Sequence, residues 1–208
     1  MMAGTAVPDW LSVVDRQVRV RSRVIAERIE DLTDSDREIA IGIRQHLADD
    51  DRFHRCPRFM ILESELSARF RRTMPDPFDH RPPFLGHVLA ELMLDATLAE
   101  RDPQLLSRYY DAMSSVAAHH VESLVNQLAR STTDRLVGFI DQFRATRFLY
   151  DYLDDRRLAG RLNQVLRRVK LPPLNDDCLN TIADARRLLR IHADELLYWV
   201  EQPERCAA

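Results

Sequence analysis

Apolar residues recur at three- and four-residue spacings along most of this chain, the period that gathers side chains onto one face of a helix. From Asp9 to Ile29 the repeat runs through Leu11, Val14, Val18, Ile25 and Ile29, with Pro8 placed for a first turn, so the pattern predicts a helix there. Ser35, with Glu38 three residues later, reads as a capping box opening a second helix that continues to His54 and stops before Pro57. A third helix is predicted from Phe59 to Arg72, ahead of the turn-forming Pro75, Asp76 and Pro77. Pro82 and Pro83 then open a fourth, from Phe84 to Leu98, whose Leu85, Val88, Leu89, Leu92 and Leu98 make it apolar nearly all round and point to burial. Further helices are expected after Pro103, from His120 to Leu128, from Asp134 to Tyr152 with Ser131 or Thr133 as cap, from Arg156 to Val169 ahead of Pro172 and Pro173, and from Asp177 to Glu201. No internal repeat or low-complexity tract interrupts them. The expectation is an all-α chain, a single-domain bundle of about eight or nine helices over residues 1–208.

Composition agrees with that pattern. Five Gly beside 45% hydrophobic residues favours helix, since sheet proteins need more turn glycine and more Thr and aromatics. The cysteines Cys56, Cys178 and Cys206 have neither the even number nor the short spacing of a disulfide framework or zinc ribbon, which fits a reducing cytoplasm. No apolar run approaches the ~18 residues that cross a bilayer, and the first residues lack signal-peptide order, so no membrane association is expected. A net charge of −3 supplies no basic field to draw the chain to nucleic acid.

The polar positions inside two of the predicted helices change the picture. His46, Asp50 and His54 form one ladder at four-residue steps, and His87, Glu91 and Asp95 form another. Steps of four return a side chain to nearly the same helix face, roughly 6 Å higher each time. Imidazole and carboxylate are ordinary ligands of zinc, manganese and iron, and helical bundles build such sites from facing helices. Glu91 and Asp95 stand among Leu, Met, Val and Ala, where an uncompensated carboxylate is costly, so a divalent ion shared with His46 and Asp50, or Arg from neighbouring helices, must balance them. Three rungs span roughly 12 Å, too far for six side chains to bind one ion. Either the site is dinuclear or the outer rungs stand behind the ligands. Carboxylate-rich ligation without thiolate suits Mn²⁺, with Fe²⁺ or Zn²⁺ as alternatives, and argues against a closed structural zinc site. The ion would activate water and polarise a phosphoryl oxygen, and His54 or His87 would protonate the leaving group.

The stretch Gly42, Ile43, Arg44, Gln45, His46, Leu47, Ala48, Asp49, Asp50 resembles the Gly-Ile-x-x-His-x-x-x-Asp segment of acyl carrier protein phosphodiesterases, helical manganese-using relatives of the HD phosphohydrolases. In the same order, residues from Ala3 to Trp10 resemble the family's Gly-Asn-x-x-x-Asp-Phe segment, and Glu91 with Asp95 resembles its paired acids four apart. Leu149, Tyr152, Asp154, Leu162 and Asn163 fall at spacings like those of its C-terminal half. The resemblance implies an HD-like fold, Asp9, His46, Asp50, Glu91 and Asp95 as metal ligands, and hydrolysis of the phosphodiester joining 4′-phosphopantetheine to a carrier-protein serine or of another phosphoester. The chain departs from the family in two places. The family opens with a segment ending Leu-Ala-His, for which Met1 to Gly4 has no counterpart, and Ala96 stands where the family has His after its second acid. Either the start is placed downstream of a His-bearing segment, the preferred expectation, or the chain lacks that ligand and is a weak or inactive relative; His54 and His87, which have no clear family equivalents, would compensate.

Other features weigh less. Arg156, Arg157, Arg161, Arg167, Arg168 and Lys170, offset by Asp154 and Asp155, suit a solvated helix face or the docking of an acidic carrier protein or a phosphate. His119 and His120 point about 100° apart and are left out of the site. No Gly-rich phosphate loop or nucleophile elbow is present, which sets aside nucleotide-cofactor enzymes. The rival to a metal-dependent hydrolase is a non-catalytic helical interaction protein whose ladders are networks with Arg. Ferritin-like oxygen chemistry ranks below both, because neither ladder contains a Glu-x-x-His pair.

Overall fold

The computed structural model describes residues 2–74 and 76–201, so Pro75 of the predicted turn and Cys206 lie outside the described residues. Every regular element among the described residues is helical, as the apolar period requires. The elements are α1 (Met2–Val14), α2 (Ser22–Arg28), α3 (Asp34–His54), α4 (Pro57–Thr73), α5 (Arg81–Arg101), α6 (Leu105–Ser114), α7 (Ala118–Leu128), α8 (Leu136–Thr146), α9 (Asp155–Arg168) and α10 (Cys178–Glu201), with short 3-10 turns at Ile29–Asp31 and Phe148–Leu153. None of the described helices is long and apolar enough to cross a membrane. The chain packs as two compact units, residues 2–51 with 107–147 and residues 52–106 with 148–201, each assembled from two separate stretches of sequence.

In the first unit the single helix expected from Asp9 to Ile29 is replaced by two. The Asp15 carboxylate accepts from the backbone N–H of Gln17 at 3.2 Å, a local turn that competes with helix continuation. Between α1 and α2 the chain buries Val18 and Val20, a two-residue alternation rather than a helical one. Pro8 sits inside α1 and not at its first turn. The start of α3 also differs from the capping box read at Ser35 and Glu38. Thr33 Oγ1 accepts from Asp36 N–H at 3.3 Å and donates to the Asp36 carboxylate at 2.7 Å, so the cap falls two residues earlier.

The core of this unit gathers Trp10 edge-on to Phe143 at 5.5 Å and Tyr110 against Phe143 at 5.3 Å. α1 crosses α3 at a glycine contact. A Cβ on Gly4 would lie 2.9 Å from the Gly42 Cα and from the Ile39 carbonyl carbon, so only hydrogen fits there. Neither Ser131 nor Thr133 opens α8. Its first N–H groups, of Leu136 and Val137, donate to the Glu122 carboxylate of α7 at 2.9 and 3.0 Å. α8 ends at Arg147, whose φ of 46° is left-handed, and this breaks the continuous helix expected as far as Tyr152.

The second unit is built on α4 and α5, with α9 and α10 packed against them. Phe59, Leu62, Leu66 and Phe70 of α4 bury the same stripe at three- and four-residue steps, and Leu85, Leu89 and Met93 of α5 meet it. Leu158, Leu162 and Leu166 of α9 and Ile182, Leu189 and Leu196 of α10 complete the core. Burying each such side chain contributes about 1.5–3 kcal/mol, which makes these helices the main source of stability in the unit. Gly86 admits a close approach of α5 to α4, since a Cβ there would meet the Glu63 carbonyl at 2.7 Å and the Ser67 amide nitrogen at 2.8 Å. Asp154 caps α9 by accepting from Arg157 N–H at 2.9 Å. The basic stretch on α9 is partly consumed by the fold, with Arg161 bonded to Asp151 and lying over the Phe148 ring.

Candidate functional site

The expected ligands fall into two groups, one in each unit. In the first, α1 presents Asp9 and α3 presents His46 and Asp50 to a cleft of about 540 Å³, a volume in the range of small-molecule sites. His46 Nε2 lies 3.7 Å from an Asp9 carboxylate oxygen. The His46 side chain is 21% exposed and that of Asp9 is 74% exposed, so the pair is open to solvent on one side. Ser12, Arg16 and Arg19 also line the cleft. Each guanidinium is aimed by a bond from its Nε to a backbone carbonyl, Arg16 to Ser12 at 3.3 Å and Arg19 to Arg16 at 3.3 Å. The cleft therefore carries carboxylates and an imidazole together with two permanent cations, but Asp9, His46 and Asp50 do not converge to within 4.8 Å of one another as His54, His87 and Glu91 do.

In the second unit the three polar rungs closest to one another are His54, His87 and Glu91. One nitrogen of each imidazole and one carboxylate oxygen lie within 4.8 Å of each other, the only group of three or more metal-type side chains so arranged among the described residues. His54 sits in the last turn of α3, where its ring and that of His87 meet the ring of Phe59, each at 5.3 Å. Trp199 Nε1 donates to the Arg52 carbonyl at 3.1 Å and fixes this end of α3 to α10. The two imidazoles stack at 4.9 Å and 17°. Both Nε2 atoms face the same oxygen, Glu91 Oε1, at 3.0 Å from His54 and 3.4 Å from His87. His87 Nδ1 faces the Glu63 carboxylate of α4 at 3.5 Å.

The electrostatics follow from that geometry. The hydrogen bond to Glu91 raises the pKa of His87 against the opposing effect of burial, with Glu63 adding to it. Burial pushes the Glu91 carboxyl up, yet its bonds with His87 and His54 overcome this and hold it below the usual carboxylate range.

This differs from the five-ligand set of the sequence. Asp9, His46 and Asp50 share the cleft of the first unit, whereas Glu91 belongs with His54 and His87 in the second. His54 and His87, read as proton donors standing outside the ligands, are the immediate partners of Glu91. Asp95, one turn beyond Glu91, is exposed and does not join them. The reason is the reach of a side chain: rungs of a ladder share a face but stand a full turn apart, so each finds partners at its own height. Glu63 went unnoticed because it belongs to no ladder. Its only signal was a carboxylate next to the buried stripe of Phe59, Leu62 and Leu66. His120, set aside, pairs through Nε2 with Asp36 at 2.7 Å in the first unit.

No family model, curated protein or solved structure matches this chain.

Proposed function

We propose that this chain is a divalent-metal-dependent phosphoester hydrolase of the HD-like kind, working in the cleft of its first unit. The observation that carries the reading is that Asp9 and His46, 37 positions apart in sequence, meet at 3.7 Å in a cleft also lined by Asp50, Arg16 and Arg19. Two carboxylates and an imidazole, with no thiolate, are residue types that suit Mn²⁺, with Fe²⁺ or Zn²⁺ as alternatives, and side-chain rotation would have to bring them together on the ion. Bound there, the ion would supply Lewis-acid polarisation and a water acidic enough to act as nucleophile near neutral pH.

The protein's own contribution is binding and orientation. Arg16 and Arg19 would take the phosphoryl oxygens, which they can do at any working pH because guanidinium does not deprotonate. Asp9 stands 3.7 Å from His46 Nε2, so the two side chains would face a bound ion from the same side of the cleft. By the resemblance in sequence, the substrate class extends to the phosphopantetheine diester of an acyl carrier protein.

The test is hydrolysis of bis(p-nitrophenyl) phosphate and of holo-carrier protein, each with added Mn²⁺. Turnover that disappears in His46→Ala and Asp50→Ala, with helicity retained, is the expected result. Equal turnover in wild type and both variants would overturn it, as would none in wild type with Mn²⁺, Fe²⁺ or Zn²⁺.

A second reading, a non-catalytic helical interaction protein, draws on the network around Arg186. Its guanidinium bonds Glu100 at 2.7 Å, Asp155 at 2.7 Å and the Tyr152 carbonyl at 2.8 Å. That reading expects His46→Ala and Asp50→Ala to change stability alone.

A further inference from the structure

We propose that His54, His87 and Glu91 form a binding site for one transition-series dication, zinc or ferrous iron, oriented from behind by Glu63. The site lies wholly in the second unit and does not depend on the chemistry assigned to the cleft of the first.

The three ligand atoms lie within 4.8 Å of one another. Metal–ligand bonds of about 2.1 Å put neighbouring ligand atoms ~3.0 Å apart in an octahedral site and ~3.4 Å apart in a tetrahedral one. The observed separations from Glu91 Oε1 are 3.0 Å to His54 Nε2 and 3.4 Å to His87 Nε2. An ion placed among the three atoms needs the two stacked rings, now 17° apart in plane, to turn their Nε2 atoms toward it by side-chain rotation.

The outer partner is of the expected kind. Metal-binding imidazoles generally give their second nitrogen to a carboxylate, which sets the tautomer and turns the other nitrogen toward the ion. Glu63 stands in that position behind His87 Nδ1. Close contact of α4 with α5 at Gly86, the residue before His87, brings the two elements into this relation.

Charge points the same way. Glu63 and Glu91 bring two carboxylates to the cluster, and a dication between the rings would sit against both of them. Two nitrogen donors among three select a transition metal over Mg²⁺ or Ca²⁺, which prefer all-oxygen sets. His54, His87 and Glu91 are 32%, 35% and 35% exposed, so water can complete the coordination, and the site is of the open kind with three protein ligands.

The experiment is titration of the full, metal-stripped chain with Co²⁺ at pH 8, read by visible absorption, followed by displacement with Zn²⁺. We expect one equivalent with the intense bands of a low-coordinate nitrogen–oxygen site to bind at this cluster in wild type, separate from any metal taken up by the cleft of the first unit and still present in His46→Ala. Glu91→Gln and His87→Ala should each weaken binding by at least ~100-fold, Glu63→Gln by ~10-fold through lost orientation, and His46→Ala should leave this band unchanged. Glu91→Gln keeps shape and hydrogen-bonding atoms, so it separates loss of ligation from loss of fold. Wild type that takes up no Co²⁺ or Zn²⁺, Glu91→Gln that binds as tightly as wild type, or a band abolished by His46→Ala instead would each overturn the assignment. Failure of phosphoester turnover with the Co²⁺ band intact would count against the proposed function alone.

Discussion

Two half-buried glutamates on one helix, nine positions apart, are balanced in different ways. Glu100, near the end of α5, bonds Arg186 Nη1 through one oxygen and Arg190 Nε through the other, both at 2.7 Å. Glu91, in the middle of the same helix, faces His54 and His87 instead. Arginine stays charged at every accessible pH, and Arg186 is itself fixed by Asp155 and the Tyr152 carbonyl. That arrangement is permanent, and it ties α5 to α10 and to the start of α9. Histidine can release its proton and present a lone pair, so on the proposed assignment a metal ion would take the place of the protons between Glu91 and its two imidazoles. Placing the same acid among guanidiniums makes a structural joint, and among imidazoles the group proposed to bind a metal.

The strongest way to break the comparison is Arg186→Ala. It leaves Glu100 and Asp155 without their shared partner in a site where Arg186 is only 9% exposed, and it should destabilise the fold by about 3 kcal/mol, as breaking a buried pair does. Urea denaturation measures this, and a loss below ~1 kcal/mol would show that the joint is dispensable. Gly86→Ala comes next, at about 1–3 kcal/mol, because its Cβ must displace backbone atoms of α4. It should also weaken Co²⁺ binding by moving Glu63 relative to His87, which the same titration detects.

Glu91→Gln should cost less than ~1 kcal/mol of metal-free stability, since the partners are about one-third exposed and screened. If it matched Arg186→Ala in cost, the two acids would both be structural and the contrast would collapse.

The smallest expected effect is on pH dependence, and its sign differs between the two sites. His87 has a raised pKa, so its contribution to metal-free stability is fully present below the unfolded value near 6.5 and is lost as pH rises through the raised folded value. The lowered pKa of Glu91 makes its contribution present above about 4.5 and lost as pH falls through the lowered folded value. The apo cluster therefore stabilises most in the mildly acidic window between those limits. Glu100 is held low first by Arg190, then by Arg186, so its contribution is lost only on acidification and persists at alkaline pH. Metal affinity runs opposite to the His87 contribution, rising as that ring loses its proton. Denaturation of wild type and His87→Ala from pH 5 to 9 without metal should show the alkaline decline only in wild type.

Several elements could be read directly from residue order. The stripes of α4, α5 and α10, Pro82 and Pro83 at the opening of α5, and the helix ending near Thr73 are local features that tertiary packing had no cause to override. The misread places are those where a side chain took over a backbone group. Asp15 intercepted the Gln17 N–H and split the first helix, Thr33 capped α3 ahead of Ser35, and Glu122, 14 residues away in sequence, capped α8. Arg147 entered the left-handed region without the glycine that ordinarily announces such an ending.

The ladders were visible in the sequence because four-residue periodicity is a property of the chain alone. It determined the helical class, the faces on which His46, Asp50, His54, His87, Glu91 and Asp95 would stand, and the residue types open to metal chemistry. Tertiary structure decided which rungs meet. Asp9 came to His46 through the packing of α1 at Gly4, Glu63 to His87 through the contact at Gly86, and Glu91 to two imidazoles while Glu100 went to two arginines. Periodicity sets direction around a helix axis, but the partner facing each side chain depends on which helices pack, at what height and how closely, and those are long-range contacts that no local pattern encodes.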